Sequence, residues 1–181
     1  AFIEGHATQM LANLNLASDW LAGRDMPPEM ARTALDSLSL VVPVISTTFA
    51  SVGRMFANIG QENIGWLLID EAGQAQSAHA VGAIWRARRT LVVGDPLQLE
   101  PVTSIPASVE AALGHAFGVE ERWWPSHSSA QTLADRSTLL GTHLEDRVGQ
   151  PVWVGCPLRL HRRCDEPMFS ISNTNAYGGM M

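Results

Sequence analysis

Apolar positions in the first 38 residues, among them Met10, Leu11, Leu14, Leu16, Trp20 and Leu21, recur at roughly helical spacing and stop at Met26-Pro27-Pro28. This pattern predicts a helical hairpin. Further on, apolar runs over 40–46, 66–70 and 90–94 alternate with helically spaced stretches over 49–59 and 75–87. Alternation of this kind predicts an α/β fold in which strands joined by helical crossovers lie parallel in a doubly wound sheet. The tract 100–150 is less regular, with a helix expected over 128–139 and Leu133 facing inward. A strand near 157–161 and a helix from Asp165 to about Ala176 complete the expected elements.

The second and third strands end in chemistry. Leu67-Leu68-Ile69 runs into Asp70-Glu71-Ala72-Gly73-Gln74, and Leu91-Val92-Val93 runs into Gly94-Asp95-Pro96-Leu97-Gln98-Leu99. In open parallel sheets ligands sit outside the carboxyl ends of the strands, so both segments are carried to the ligand edge. Successive side chains on extended backbone point in opposite directions, which lets Asp70 and Glu71 take different roles. A hard cation such as Mg²⁺ takes one or two carboxylates plus phosphate oxygens and water, which suits Asp70. Glu71 is then free to orient and deprotonate a water. Gln98 is a neutral amide able to donate to a terminal phosphate. An acidic pair after a strand also stabilises a helix N-terminus, and Gly-Asp-Pro also makes a turn, so these residues taken alone leave the structural reading open.

Taken together, the segments resemble the superfamily 1 DNA and RNA helicases, in particular the group related to the nonsense-mediated-decay helicase. Asp70-Glu71-Ala72-Gly73-Gln74 is similar to the family's Walker B motif, and Gly94-Asp95-Pro96-Leu97-Gln98-Leu99 to its motif III. Leu158-Arg159-Leu160-His161-Arg162-Arg163-Cys164, with Phe169, Ser172-Asn173 and Tyr177-Gly178, resembles motif IV. There His161 and Arg162 stand where Gln-Tyr is more frequent. Val44-Ile45-Ser46-Thr47-Thr48-Phe49-Ala50-Ser51 resembles the nucleic-acid-contacting motif that precedes the Walker B strand. The resemblance implies an incomplete RecA-like (P-loop NTPase) parallel sheet with flanking helices, preceded by a helical segment. It implies ATP and Mg²⁺ as cofactors, with Asp70 on the metal and Glu71 activating water. Gly94, Asp95 and Gln98 would lie at the nucleotide, and Arg163 would complete a charge clamp on the terminal phosphate. Ser46, Thr47 and Thr48 would touch single-stranded DNA or RNA.

The family's phosphate-binding loop, G-x-x-x-x-G-K-[ST], does not occur in these residues, and the chain has no lysine at all. Such a loop needs glycines that let N–H groups curl round the phosphates, a Lys and a metal-binding hydroxyl. The chain is therefore expected to be an internal piece of a larger ATPase and inactive by itself. On this reading 1–39 is the end of a helical insertion, 40–156 the latter part of a first RecA-like domain, and 157–181 the start of a second.

A chain of 181 residues with 46% hydrophobic content is expected to be globular. Its formal net charge of -6 argues against a stand-alone nonspecific nucleic-acid binder, which would offer a basic face. Cys156 and Cys164 are too few for a zinc site, and no apolar run approaches membrane-spanning length, so a cytoplasmic protein without a membrane partner is expected. Three other classes stay open: a degenerate, non-hydrolytic interaction module, a nuclease or phosphatase using Asp70, Glu71 and Asp95 around two metals, and a plain structural fragment without independent activity.

Overall fold

The expected helical hairpin is present in the computed structural model, which describes residues 5–145, 149–158, 160, 162 and 164–181. Helix α1 (Ala7–Leu21) ends where Gly23 adopts φ +73, and helix α2 (Pro28–Ser39) begins with the proline whose fixed φ suits a first helical position. The inward positions Ala17 and Trp20 of α1 and Ala31, Ala34 and Leu35 of α2 form one apolar core with Met26, Phe56 and Ile59. Small alanines at the helix contact let the backbones approach, and the Trp20 and Phe56 rings meet with centroids 5.8 Å apart. Such an aromatic pair contributes about 0.5–1.5 kcal/mol beyond its area burial. Leu11 and Leu21, also on the helical pattern, stay exposed.

This hairpin, with helix α3 (Phe49–Met55), belongs to the first of two compact units, 1–67 with 79–90. The Asn58 amide donates to the Met26 carbonyl at 3.0 Å, and Arg86 Nε donates to the Phe56 carbonyl at 3.0 Å. Arg88 Nε donates to the Glu62 carbonyl at 2.9 Å. Arg86 and Arg88 thus serve as backbone braces within this unit.

The strand expected over 40–46 does not form. The N–H groups of Leu40, Val41 and Val42 donate to the carbonyls of Ser37 and Leu38 as α2 closes, and Pro43 has no N–H to offer. No sheet ladder can be built on a segment whose donors are so engaged. Leu40, Val41, Val42 and Val44 are left exposed.

Strand β1 (Ile64–Ile69) and strand β2 (Ala87–Val92) form a short parallel sheet, joined by helix α4 (Ser77–Arg86). The expected strand–helix–strand order is therefore observed here. β2 starts three residues earlier than the apolar run indicated, because α4 passes directly into it at Ala87. Trp66 and Leu68 remain 58% and 69% exposed, so one sheet face carries apolar side chains without cover among the described residues. The Arg89 guanidinium lies 5.5 Å from the Trp66 ring centroid.

The second unit comprises 68–78 and 91–181. It contains helix α5 (Ala107–Ala116), which the irregular pattern of 100–150 concealed, and helix α6 (Ala130–Ser137), shorter than the 128–139 expected. Ser129 and Thr132 cap α6 reciprocally: the Ser129 hydroxyl accepts from the Thr132 N–H and the Thr132 hydroxyl from the Ser129 N–H. Strand β3 (Thr142–Glu145) pairs antiparallel with strand β4 (Pro151–Val154), His143 opposite Trp153. The strand expected near 157–161 is thus found earlier: Pro157, Leu158 and Leu160 are not in a strand, and Arg159 and His161 lie outside the described residues. Among the described residues β3 takes its ladder partner from 151–154 alone. Helix α7 (Met168–Tyr177) ends at Gly178 with φ +57, close to expectation. The mixed α/β architecture with a short parallel sheet and flanking helices is compatible with part of a P-loop NTPase fold.

Candidate functional site

The carboxyl end of β1 is not a simple continuation of the strand. Val93 donates its N–H to the Ile69 carbonyl at 2.8 Å and accepts from the Ala72 N–H at 3.0 Å. A regular parallel pair would bond residues two apart, so the spacing from 69 to 72 shows one extra residue, a bulge that carries Asp70 and Glu71 out of the ladder. Glu71 takes φ +52, in the left-handed region where a side chain is unfavourable. Asp70 Oδ1 accepts the Glu71 N–H at 3.0 Å, and the Gln74 amide donates to Glu71 Oε2 at 3.3 Å. Both acidic side chains are exposed. The placement of the two carboxylates therefore follows from the bulge and not from the strand alternation expected from sequence.

Two glycines let the strand ends touch. A Cβ on Gly94 would lie 2.7 Å from the Gly73 nitrogen and 2.8 Å from the Ala72 nitrogen, and a Cβ on Gly73 would lie 2.8 Å from the Asp95 carbonyl oxygen. The structure thus brings Gly94 and Asp95 against the segment that follows Asp70 and Glu71. Helix α6 backs this junction: Gln131 donates its N–H to the Ala72 carbonyl at 3.1 Å, and Ala130 to the Ala75 carbonyl at 2.8 Å. The Gln131 side-chain amide donates to both Asp135 carboxylate oxygens, at 3.1 and 3.0 Å, and Asp135 Oδ1 also accepts the Gly155 N–H at 2.9 Å. Gln131 and Asp135 are both buried. Gln131 Oε1, 3.0 Å from the position of a Gly94 Cβ, has no hydrogen-bond partner among the described residues. Sequence reasoning missed this pair; its signal was two polar residues four apart on the inward face of a helix.

After β2 the chain turns on Asp95. Its Oδ1 accepts the Leu97 N–H at 2.9 Å, the side-chain-to-backbone turn that Gly-Asp-Pro favours. Its Oδ2 accepts from the Gln98 amide at 2.8 Å and from the Tyr177 hydroxyl at 2.5 Å. Partial burial, with the Asp95 carboxylate beside it, raises the Tyr177 phenol above its ordinary pKa. Gln98 is exposed and stands at the lip of a cleft of about 660 Å³ that Tyr177 also lines.

Ser46, Thr47 and Thr48 are exposed in the first unit, ahead of α3. Thr48 occupies the N-cap, but its side chain makes no capping bond; its hydroxyl donates to the Ser51 hydroxyl at 3.5 Å. Arg163 lies outside the described residues. Trp123 is flanked by the guanidinium groups of Arg122 and Arg136, 5.3 and 5.0 Å from its ring centroid, and Trp124 stacks on His127.

As a cation ligand, Asp70 supplies one open carboxylate, and among the described residues no cluster of three or more His, Cys, Asp or Glu side chains is arranged to hold a metal. That donor set fits a hydrated Mg²⁺ that takes most of its ligands from phosphate and water, and not a cage built from protein alone. No helix of the described residues is long and apolar enough to cross a membrane.

A family model described as an AAA domain matches residues 26–105, a stretch that includes β1, α4, β2 and both acidic turns. The match supports, for this stretch, a likeness to helicase-like AAA/P-loop NTPase domains. No curated protein and no solved structure matches the chain.

Proposed function

We propose that these residues form part of the motor core of an ATP-dependent superfamily 1 helicase, coupling Mg²⁺-ATP hydrolysis to movement along or unwinding of a nucleic-acid strand. The observation that carries this reading is the bulged acidic end of β1 lying against Gly94 and Asp95, inside the stretch matched by the AAA domain. In this scheme Asp70 holds the hydrated cation, which would neutralise charge on the phosphates. Glu71 accepts a proton from water as the water oxygen attacks the terminal phosphorus. The bond from that phosphorus to its bridging oxygen breaks, releasing nucleoside diphosphate and phosphate. Gln98 contacts the terminal phosphate, and Arg163 offsets its charge. Ser46, Thr47 and Thr48 contact the backbone of DNA or RNA. The proposed division assigns 1–39 to a helical insertion, 40–156 to the first RecA-like domain and 157–181 to the start of the second.

The cradle of backbone N–H groups and the lysine that ATP requires must come from residues outside these 181. The test is therefore made on the complete open reading frame that contains them. Nucleic-acid-stimulated ATP hydrolysis, reduced at least 100-fold by Glu71→Gln with nucleotide still bound, is the expected result. A complete protein that binds no nucleotide would replace this reading with that of an interaction module. The two-metal nuclease alternative is disfavoured because both Asp95 carboxylate oxygens already accept hydrogen bonds from Leu97, Gln98 and Tyr177.

A further inference from the structure

The chain has a single tyrosine, Tyr177, at the last position of α7. Its hydroxyl reaches across 82 positions of sequence to Asp95 Oδ2, the same oxygen that holds the Gln98 amide. Asp95 is thereby the meeting point of three donors from two segments: Leu97 N–H and the Gln98 amide from its own turn, and the phenol from α7. With its Nε2 on Asp95, Gln98 is held beside the cleft that also contains His143, Glu145, Thr174, Asn175 and Tyr177.

We propose that Tyr177 is a positioning residue: its hydroxyl anchors Asp95, which in turn sets Gln98, so that α7 and the turn after β2 change state together when a phosphate-bearing ligand draws the Gln98 amide away. The physical reason lies in the shared oxygen. If Gln98 leaves to donate to phosphate, a carboxylate without a second donor would be left with an unmet acceptor, at a cost comparable to a lost charged hydrogen bond. Tyr177 keeps that oxygen satisfied in both states, which makes release of Gln98 inexpensive. In the released state the phenol is the sole donor to Oδ2 other than solvent, so this one bond keeps α7 tied to the turn. A donor without the phenol's acidity and reach, or a ring without the hydroxyl, cannot do this.

This role rests on the proposed phosphate-sensing function of Gln98, but the link itself is testable without it. The ionisation of a lone tyrosine is read directly by ultraviolet difference absorbance of the phenolate in the 181-residue protein, while the near-ultraviolet circular dichroism of its tryptophans follows the fold. The groups facing the phenol are Asp95 and Gln98 from the turn, with His143 and Glu145 of β3 lining the same cleft. Asp95 disfavours the phenolate and Gln98 favours it. The expected result is that Asp95→Asn moves the Tyr177 midpoint down and Gln98→Ala moves it up. A ring that merely packs would respond to neither, and no shift, or shifts of the same sign, overturns the proposal. Gln98 is exposed, so its variant keeps the test available if Asp95→Asn unfolds.

In the complete reading frame, Tyr177→Phe is then expected to lower kcat about 10-fold with KM changed less than about 2-fold, as for loss of one charge-linked hydrogen bond. An unchanged kcat overturns the positioning role. A wild-type protein without ATPase activity defeats the proposed function instead, and the opposed midpoint shifts then still decide whether the anchor exists.

Discussion

Replacing Gly94 by alanine tests whether the two strand ends truly touch. The added methyl would sit 2.7 Å from the Gly73 nitrogen, 2.8 Å from the Ala72 nitrogen and 3.0 Å from Gln131 Oε1, against an ordinary contact of 3.4 Å or more. Two of these neighbours are backbone atoms, and one of them, the Ala72 N–H, is bonded to the Val93 carbonyl at 3.0 Å. Relief requires that the turn after Glu71 retreat from the end of β2, which strains that bond. Overpacking of this kind costs about 1–3 kcal/mol, and a weakened hydrogen bond adds about 1 kcal/mol. Lower backbone freedom in the unfolded chain returns about 0.4–1 kcal/mol. The net destabilisation is about 1–3.5 kcal/mol, or a fall in Tm of about 2–14 °C for a chain of this size. The comparison is Gly53→Ala in α3, where a Cβ meets nothing within 4 Å and the helix gains about 0.5–1 kcal/mol. Urea unfolding of both variants, followed by tryptophan fluorescence, gives the two midpoints. A Gly94→Ala midpoint equal to or above that of Gly53→Ala would refute the close approach and the junction built on it.

Three other outcomes follow from the same geometry. Asp135→Ala strands the Gly155 N–H and the Gln131 amide in a buried site and is expected to lower stability by about 3 kcal/mol in the same urea assay, whereas a loss below about 0.5 kcal/mol would mean that the pair is solvated. Glu71→Gly removes a side chain from left-handed backbone and should raise stability by about 0.5–1 kcal/mol while abolishing hydrolysis in the complete protein, so a less stable variant would argue that Glu71 is not strained. The Ser126 hydroxyl and N–H, donating to Glu110, hold its carboxyl below the ordinary value; the stabilisation is complete above the unfolded-state pKa and is lost as pH falls through the lowered folded value. Glu110→Gln should therefore flatten the acid limb of stability against pH, and an unchanged slope would show that the contact contributes nothing.

The helical hairpin, β1, α4, β2 and α7 were legible because each rests on local pattern: helical spacing closed by Gly23 and opened by Pro28, apolar runs of strand length, and a helix stopped at Gly178. The segment 40–46 misled because its composition is that of a buried strand, whereas pairing depends on which N–H groups remain after α2 closes. Helix α5 and the β3–β4 pair were hidden for the converse reason. Their positions are only partly covered, with Leu113 exposed on α5 and only Leu144 of β3 buried, so no clear period appears.

At the candidate site, the order of residue types along the chain determined that two acidic turns follow two apolar strands, and with that the class of chemistry to look for. The sequence also determined that Gly73 and Gly94 lack the side chains that would keep the turns apart. Only the tertiary structure decided that Asp70 and Glu71 stand on a bulge, that Gln131 and Asp135 support it from behind, and that Tyr177 meets Asp95. Those relations join residues tens of positions apart, and no local spacing encodes them: they arise when burial of separate segments leaves polar atoms needing partners, and the fold chooses which ones they find.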